Sequence, residues 1–152
     1  MAEFQGCELP EDLYYDVEND TWARRGPGEL VTVGLTDSAQ TEAGRILFLR
    51  PKKVGVHVVQ HRAVAALESG KWAGPVRTPV AGTITEVNDQ AVANPNILNI
   101  DPYGDGWVAR IRPDDLEGDA SRLLFGEAAQ EAYRKKLEQF KIQCMRCSKE
   151  EP

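Results

Sequence analysis

The chain has 152 residues, a normal size for one domain around one core. Hydrophobic residues make up 41% and charged residues 28%, the balance of an ordinary soluble protein, and no apolar run approaches the roughly 20 residues of a membrane helix. The formal net charge of -6 lacks the basic footprint that phosphate backbones demand. Nucleic acid is therefore not the expected partner, and an acidic surface suits docking to basic patches on other proteins instead.

The first residues, Met1-Ala2-Glu3-Phe4-Gln5, combine neither a basic start nor an apolar stretch. No export signal is expected there, which makes the cytoplasm the default compartment. Leu9-Pro10-Glu11-Asp12-Leu13-Tyr14-Tyr15 reads as the ordered start of the fold, and Arg25-Gly26-Pro27-Gly28 as a turn. Residues 30–35 place Val31, Val33 and Leu35 on one face, which is strand periodicity. Asp37 with Gln40 three residues on matches a capping box, so a short helix is expected that ends at Gly44. Further strands are expected at 45–50, 54–58, 63–67, 83–87 and 107–112. Pro51-Lys52-Lys53 breaks the first of these. Asn94-Pro95-Asn96 opens a helical turn, and Asp101-Pro102-Tyr103-Gly104-Asp105-Gly106 is a dense turn signal. Gly44-Arg45-Ile46-Leu47-Phe48-Leu49 and Gly82-Thr83-Ile84-Thr85-Glu86-Val87 share a weak repeat, which suits two similar half-sheets. Near the end, Tyr133, Leu137 and Phe140 recur at helical spacing, and Glu131 can pair with Lys135. The expected layout is one mainly β domain over residues 1–152. It has a β core at about 29–113, a docked helix at about 127–143 and a loose tail to 152.

One turn stands out chemically. Glu68-Ser69-Gly70-Lys71-Trp72-Ala73-Gly74-Pro75 lies between two strands, and Thr78-Pro79-Val80-Ala81-Gly82 follows on the return. A swinging-arm carrier needs this order: a rigid strand, an exposed lysine that can be acylated, and a return strand. In such a carrier the attached group supplies the chemistry and the protein supplies position. The plain reading is a solvated surface lysine, which is common in turns. Gly70 is expected at positive φ, where glycine has no steric cost.

Along residues 9–140 the chain resembles the H-protein family of the glycine cleavage system. Leu9 to Tyr15 is similar to the family's opening segment. Val33-Gly34-Leu35-Thr36-Asp37-Ser38-Ala39-Gln40 is similar to its Val-Gly-Ile-Thr-Asp-Tyr-Ala-Gln, and Glu68-Ser69-x-Lys71 to its lipoyl-lysine motif. Asp101 to Trp107 is similar to its Asp-Pro-Tyr-Gly-Glu-Gly-Trp. The resemblance implies a barrel-sandwich hybrid of two antiparallel sheets with a C-terminal helix. It implies lipoate in amide linkage on Lys71, a lipoate-protein ligase or other lipoylation enzyme as a partner, and a carrier that is not itself an enzyme. The departures are Asp20-Thr21-Trp22 for the family's His-Glu-Trp, Gly70 for valine, Trp72 for alanine, and the cysteines at both ends. Glu-Ser-Gly-Lys-Trp with terminal cysteines looks more like the lipoate-binding proteins of bacterial sulfur oxidation. Their partner is a cytoplasmic heterodisulfide-reductase-like complex. The expectation is accordingly a lipoyl carrier in sulfur oxidation. The alternative is the H-protein of glycine cleavage, which carries an aminomethyl group, and a third reading is an unmodified interaction module.

Cys7, Cys144 and Cys147 are three, an odd number, so a disulfide scaffold is not expected. Cys144-x-x-Cys147 reads first as plain surface thiols, next as accessory sulfur or redox groups, and last as zinc ligands. Cys7 joins them only if the chain ends meet in space. A pair at the C-terminal end of a helix meets a dipole that opposes a thiolate. His57 and His61 have no catalytic or metal spacing and are expected to be structural. Trp22 and Trp107 are expected in the core. Trp72 beside the lysine either stacks on a partner or packs on the hairpin. The aspartates of 101–106 are expected to close a turn rather than bind calcium.

Overall fold

The apolar alternation at 31–35 forms the middle strand of the larger sheet in the computed structural model, which describes residues 2–145. In chain order the elements begin with a short hairpin, β1 (Ala2–Phe4) and β2 (Cys7–Leu9). Next come β3 (Tyr14–Asp16), β4 (Thr21–Arg25), β5 (Val31–Leu35), α1 (Asp37–Ala43), β6 (Ile46–Pro51) and β7 (His57–Val58). The middle of the chain adds β8 (Ala63–Ser69), β9 (Ala73–Arg77), β10 (Gly82–Val87), α2 (Asp89–Ala93) and α3 (Ile97–Ile100). The chain continues with β11 (Ala109–Pro113), α4 (Leu116–Ala120), β12 (Leu124–Phe125) and α5 (Gly126–Gln139). All pairings among the described residues are antiparallel: β12-β3-β4-β5-β11-β10-β7 in the larger sheet, β6-β8-β9 in a second and β1-β2 in a separate two-stranded ribbon. The mainly β sandwich with a C-terminal helix is thus the fold. Among the described residues no helix is long and apolar enough to cross a membrane.

Burying alternate residues of both sheets holds them together. Val31 and Val33 of β5, Ile84 and Ile111 of β10 and β11, and Leu49, Val64, Leu67 and Val76 of the smaller sheet share one buried cluster. Each such side chain contributes about 1.5–3 kcal/mol relative to exposure. A second cluster gathers Leu13, Tyr15, Trp22, Ala129 and Tyr133 beneath α5. The indole of Trp22 is wholly buried, as expected, and its Nε1–H donates to Leu35 O and Pro102 O. Gly34 makes room for that ring: a Cβ there would stand 2.5 Å from Trp22 Cζ2. Trp107 is only partly buried and lies under the guanidinium of Arg110.

Several expectations shift. The helix at α1 is capped by Thr36, whose hydroxyl accepts from Ala39 N–H, not by Asp37. Asp37 lies inside the helix, buried, and accepts from Glu8 N–H and Gln40 Nε2 instead. The strand expected at 54–58 shrinks to β7, because Gly55 takes positive φ and donates to Ile84 O. The repeat survives only in that Gly44, two residues before β6, and Gly82, the first residue of β10, both take positive φ. The two main sheets have three and seven strands, not two similar halves. The helix expected to run to about 143 stops at Gln139. Lys141 turns to φ 55°, Ile142 N–H donates to Leu137 O and Lys141 N–H to Glu138 O. This Schellman closure reverses the chain, so Ile142 covers Leu137 and Phe140 is left 63% exposed. Cys144 therefore lies five residues past the helix, where the helix-dipole argument does not apply.

Candidate functional site: the Lys71 hairpin

The strands β8 and β9 pair as Ala66 with Pro75, Leu67 with Gly74 and Glu68 with Ala73. Gly70 and Lys71 are left as a two-residue tip. Ser69 holds this tip. Its N–H donates to Trp72 O at 2.7 Å, and its hydroxyl oxygen accepts from Lys71 N–H at 3.3 Å and Trp72 N–H at 3.1 Å. Ser69 is buried while Glu68, Gly70, Lys71 and Trp72 are exposed, so one hydroxyl anchors a solvent-facing amine. The left-handed conformation expected of Gly70 is absent, since its φ is not positive. Curvature comes from the Ser69 bonds, and Gly70 contributes open space: a Cβ there would meet nothing within 4 Å.

The lysine stem rests against the end of α1. A Cβ on Gly44, the helix C-cap at φ 76°, would stand 3.0 Å from Lys71 Cε. Gly44 was legible as a helix stop, but its place beneath the lysine was not. Buried Asn99 fixes that helix end. Its Nδ2 donates to Gly44 O at 2.8 Å and to Gln40 Oε1 at 3.1 Å, and its Oδ1 accepts from Ile46 N–H at 2.9 Å. Trp72 folds back on its own hairpin, with the indole over Gly74, where a Cβ would stand 2.5 Å from Cζ2. The residue as a whole remains 45% exposed. Beside the hairpin runs a groove of about 400 Å³. Leu35, Ala39, Ala43, Leu67, Trp72 and Pro75 form its apolar wall, and Glu18, Asp20, Glu42 and Arg77 its polar edge.

The other singled-out residues take structural places. His57 Nε2 meets Asp114 Oδ2 at 2.6 Å and His61 Nδ1 meets Asp16 Oδ2 at 2.7 Å. Asp101 closes its own turn, accepting Asp105 N–H on Oδ2 and Gly106 N–H on its carbonyl. Asp20, at the groove edge, binds α5 through Tyr133 Oη and Lys136 Nζ. Burial first, then the nearby Asp20 carboxylate, push the Tyr133 hydroxyl well above its ordinary range.

The cysteines correct the sequence reading. Cys7 and Cys144 are neither surface thiols nor a pair along the chain; they form a disulfide across 137 residues and are buried. The ends meet because the β1–β2 turn at Gln5 and Gly6, both at positive φ, receives the returning chain. Cys144 N–H donates to Gln5 O, and Gln5 Nε2 donates to Leu137 O. Cys147 lies outside the described residues.

The model of the family described as "Glycine cleavage H-protein" matches residues 13–139, so both bridged cysteines fall outside the matched stretch. The chain is 51% identical over 148 residues to "Glycine cleavage system H protein 3" of Aquifex aeolicus, covering 95% of this chain and 92% of that one. It is 42% identical over 144 residues to "Glycine cleavage system H protein 2" of the same organism, covering 95% and 89%. The crystal structure of a glycine cleavage system H protein from Mycobacterium marinum superposes with a TM-score of 0.72 at 29% identity. It covers 88% of this chain and 100% of that one. Four ordered motifs, the sandwich with its pinned lysine hairpin and these matches agree: the chain belongs to the glycine cleavage H-protein family.

Proposed function

We propose that Lys71 carries a lipoyl group and that the chain is a cytoplasmic, non-catalytic carrier for the glycine cleavage enzymes, built as one lipoyl-carrier domain. The observation that carries this reading is the exposed lysine at a two-residue tip anchored by a buried serine. A lipoylating enzyme reaches the amine without unfolding anything, and the rigid strands beneath present it at a fixed place. The residues fit such a group. Amide formation removes the lysine charge, and the wall of Leu35, Ala39, Leu67 and Trp72 beside the hairpin suits a neutral apolar arm. When bound, the dithiolane supplies reversible sulfur linkage of a carried unit and thiol–disulfide exchange. The chain's own residues hold the root of the arm: Ser69 fixes the tip, Gly44 leaves space for the stem, and Asn99 keeps Gly44 in place.

A second reading serves sulfur oxidation with a heterodisulfide-reductase-like complex. Gly70 and the indole of Trp72 favour it, since they present partners with a different tip. The names of the relatives favour glycine cleavage. The test begins with intact mass after coexpression with a lipoate-protein ligase and lipoate. The wild type gains one lipoyl mass and Lys71→Arg gains none. A lipoylated Arg variant overturns the site, and an unmodified wild type leaves an interaction module. Loaded protein is then assayed in glycine–bicarbonate exchange with glycine decarboxylase and aminomethyltransferase, beside a bona fide H-protein at equal occupancy. Comparable rates support the proposal, and an inert loaded protein puts the sulfur reading in front.

A further inference from the structure

The disulfide sits where it can report to the carrier site. Cys144 is the last buried side chain before the chain crosses α1, and it is 9% exposed, whereas Cys7 is 1% exposed. Immediately after it, Met145 is bound to α1 at three points. Its carbonyl accepts from Gln40 Nε2 at 2.6 Å and Thr41 Oγ1 at 3.0 Å, and its N–H donates to Thr41 Oγ1 at 3.1 Å. The same Gln40 side chain accepts from Asn99, which holds the Gly44 carbonyl. Gly44 in turn backs Lys71 Cε. Bonded groups thus run without a gap from Cys144 to the seat of the lysine. The returning segment is otherwise held by Gln5, whose carbonyl accepts Cys144 N–H and whose Nε2 donates to Ile142 O, and by a small cluster of Cys7, Leu137, Ile142 and Cys144 with Phe4 against it. Both large clusters lie elsewhere and include neither cysteine.

We propose that Cys7–Cys144 is a thiol–disulfide exchange site for dithiols of the dihydrolipoyl class. Its opening loosens residues 142–145, frees Met145 from α1 and loosens the helix end on which Lys71 rests. Cys144, the more exposed residue of the pair, is the one attacked at Sγ. A thiolate of the dithiol forms a mixed disulfide with it, the Cys7–Cys144 bond breaks, and Cys7 leaves as a thiolate. The second sulfur of the dithiol then displaces Cys144 and closes its own ring. Two electrons pass from the dithiol to the cysteine pair, and the two protons the dithiol loses end on the two cysteine sulfurs. The reverse reaction closes the clasp. Because the two large clusters do not depend on the bridge, the reduced chain stays folded.

The test uses the full oxidised chain carrying Cys147→Ser, so that only two cysteines can be alkylated, and does not depend on lipoylation. The protein is incubated under native conditions with free dihydrolipoamide, quenched with N-ethylmaleimide and weighed intact. Two adducts are expected, mapped to Cys7 and Cys144. Hydrogen exchange on the reduced protein is expected to rise about tenfold or more at 142–145 and in α1, and not in β5 or β11. A Cys7→Ser/Cys144→Ser variant is expected to show the open pattern without reductant and no response to it. Should that variant not fold, reduced wild-type protein gives the same reading. A bridge that yields only in denaturant overturns the exchange site and leaves a static staple. A bridge that opens with α1 protection unchanged overturns the coupling to Lys71.

Discussion

Reducing the Cys7–Cys144 bridge with a phosphine should cost stability through the unfolded chain. The bridge closes a loop spanning 137 residues. In the chain-entropy description the lost loop-closure entropy is about 17 cal/mol/K for such a loop, or about 5 kcal/mol at 25 °C. For a chain of this length each kcal/mol moves the melting temperature by roughly 2–4 °C, so a fall of about 10–20 °C is expected. The released segment also loses its contacts within the small cluster of Leu137 and Ile142, which adds to the same direction. Urea melts of oxidised and reduced protein at one pH give both stability and slope. The slope should rise on reduction, because an unbridged unfolded chain exposes more surface. A stability change under about 1 kcal/mol with an unchanged slope would refute the loop-entropy reasoning.

Two more predictions concern single side chains. Ser69→Ala removes the acceptor for Lys71 and Trp72 N–H, and solvent can replace it at the exposed tip. The stability cost should stay near 1 kcal/mol, while the initial rate of lipoylation by mass spectrometry drops several-fold; an unchanged rate would show that the tip needs no pinning. Tyr15 and Tyr133 are both raised above the ordinary value of 10.0, chiefly by burial. Below pH 10 both states keep these protons and stability is unaffected. Above it only the unfolded chain releases them, so stability falls by about 3 kcal/mol per pH unit for the pair. Urea melts between pH 9 and 11 should show this slope, and Tyr15→Phe should remove about half of it; a flat alkaline limb would contradict the burial argument.

Much of the fold was legible because it rests on short-range rules. Alternation at Val31, Val33 and Leu35 marked β5, Gly44 marked the end of α1, and Asn94-Pro95-Asn96 marked the start of α3. The lysine turn was legible too, since a glycine-lysine pair between two strand-like runs leaves few other placements. The small elements were not. The β1–β2 hairpin, β3, β4, β12, α2 and α4 have two to five residues each, too few for a periodic signal, and they exist because larger elements cover or pair with them, so the β structure begins well before the expected residue 29. Phe140 fitted the helical stripe by spacing, but the reversal at Lys141 decided which side chain covers Leu137.

By itself the sequence determined the strands on either side of the lysine turn and at β5, β6, β10 and β11, the family, and the lysine that a carrier would use, because each is written in neighbouring residues. Only the tertiary structure decided what surrounds that lysine. Gly44 and Asn99 stand 27 and 28 positions away from Lys71 in the chain, yet one backs its stem and the other holds that backing in place. The pairing of Cys7 with Cys144 across 137 residues belongs to the same class. Local propensity cannot encode such contacts. They arise when closing two sheets around one core brings distant segments together, and the apolar burial that closes the sheets is blind to chain distance.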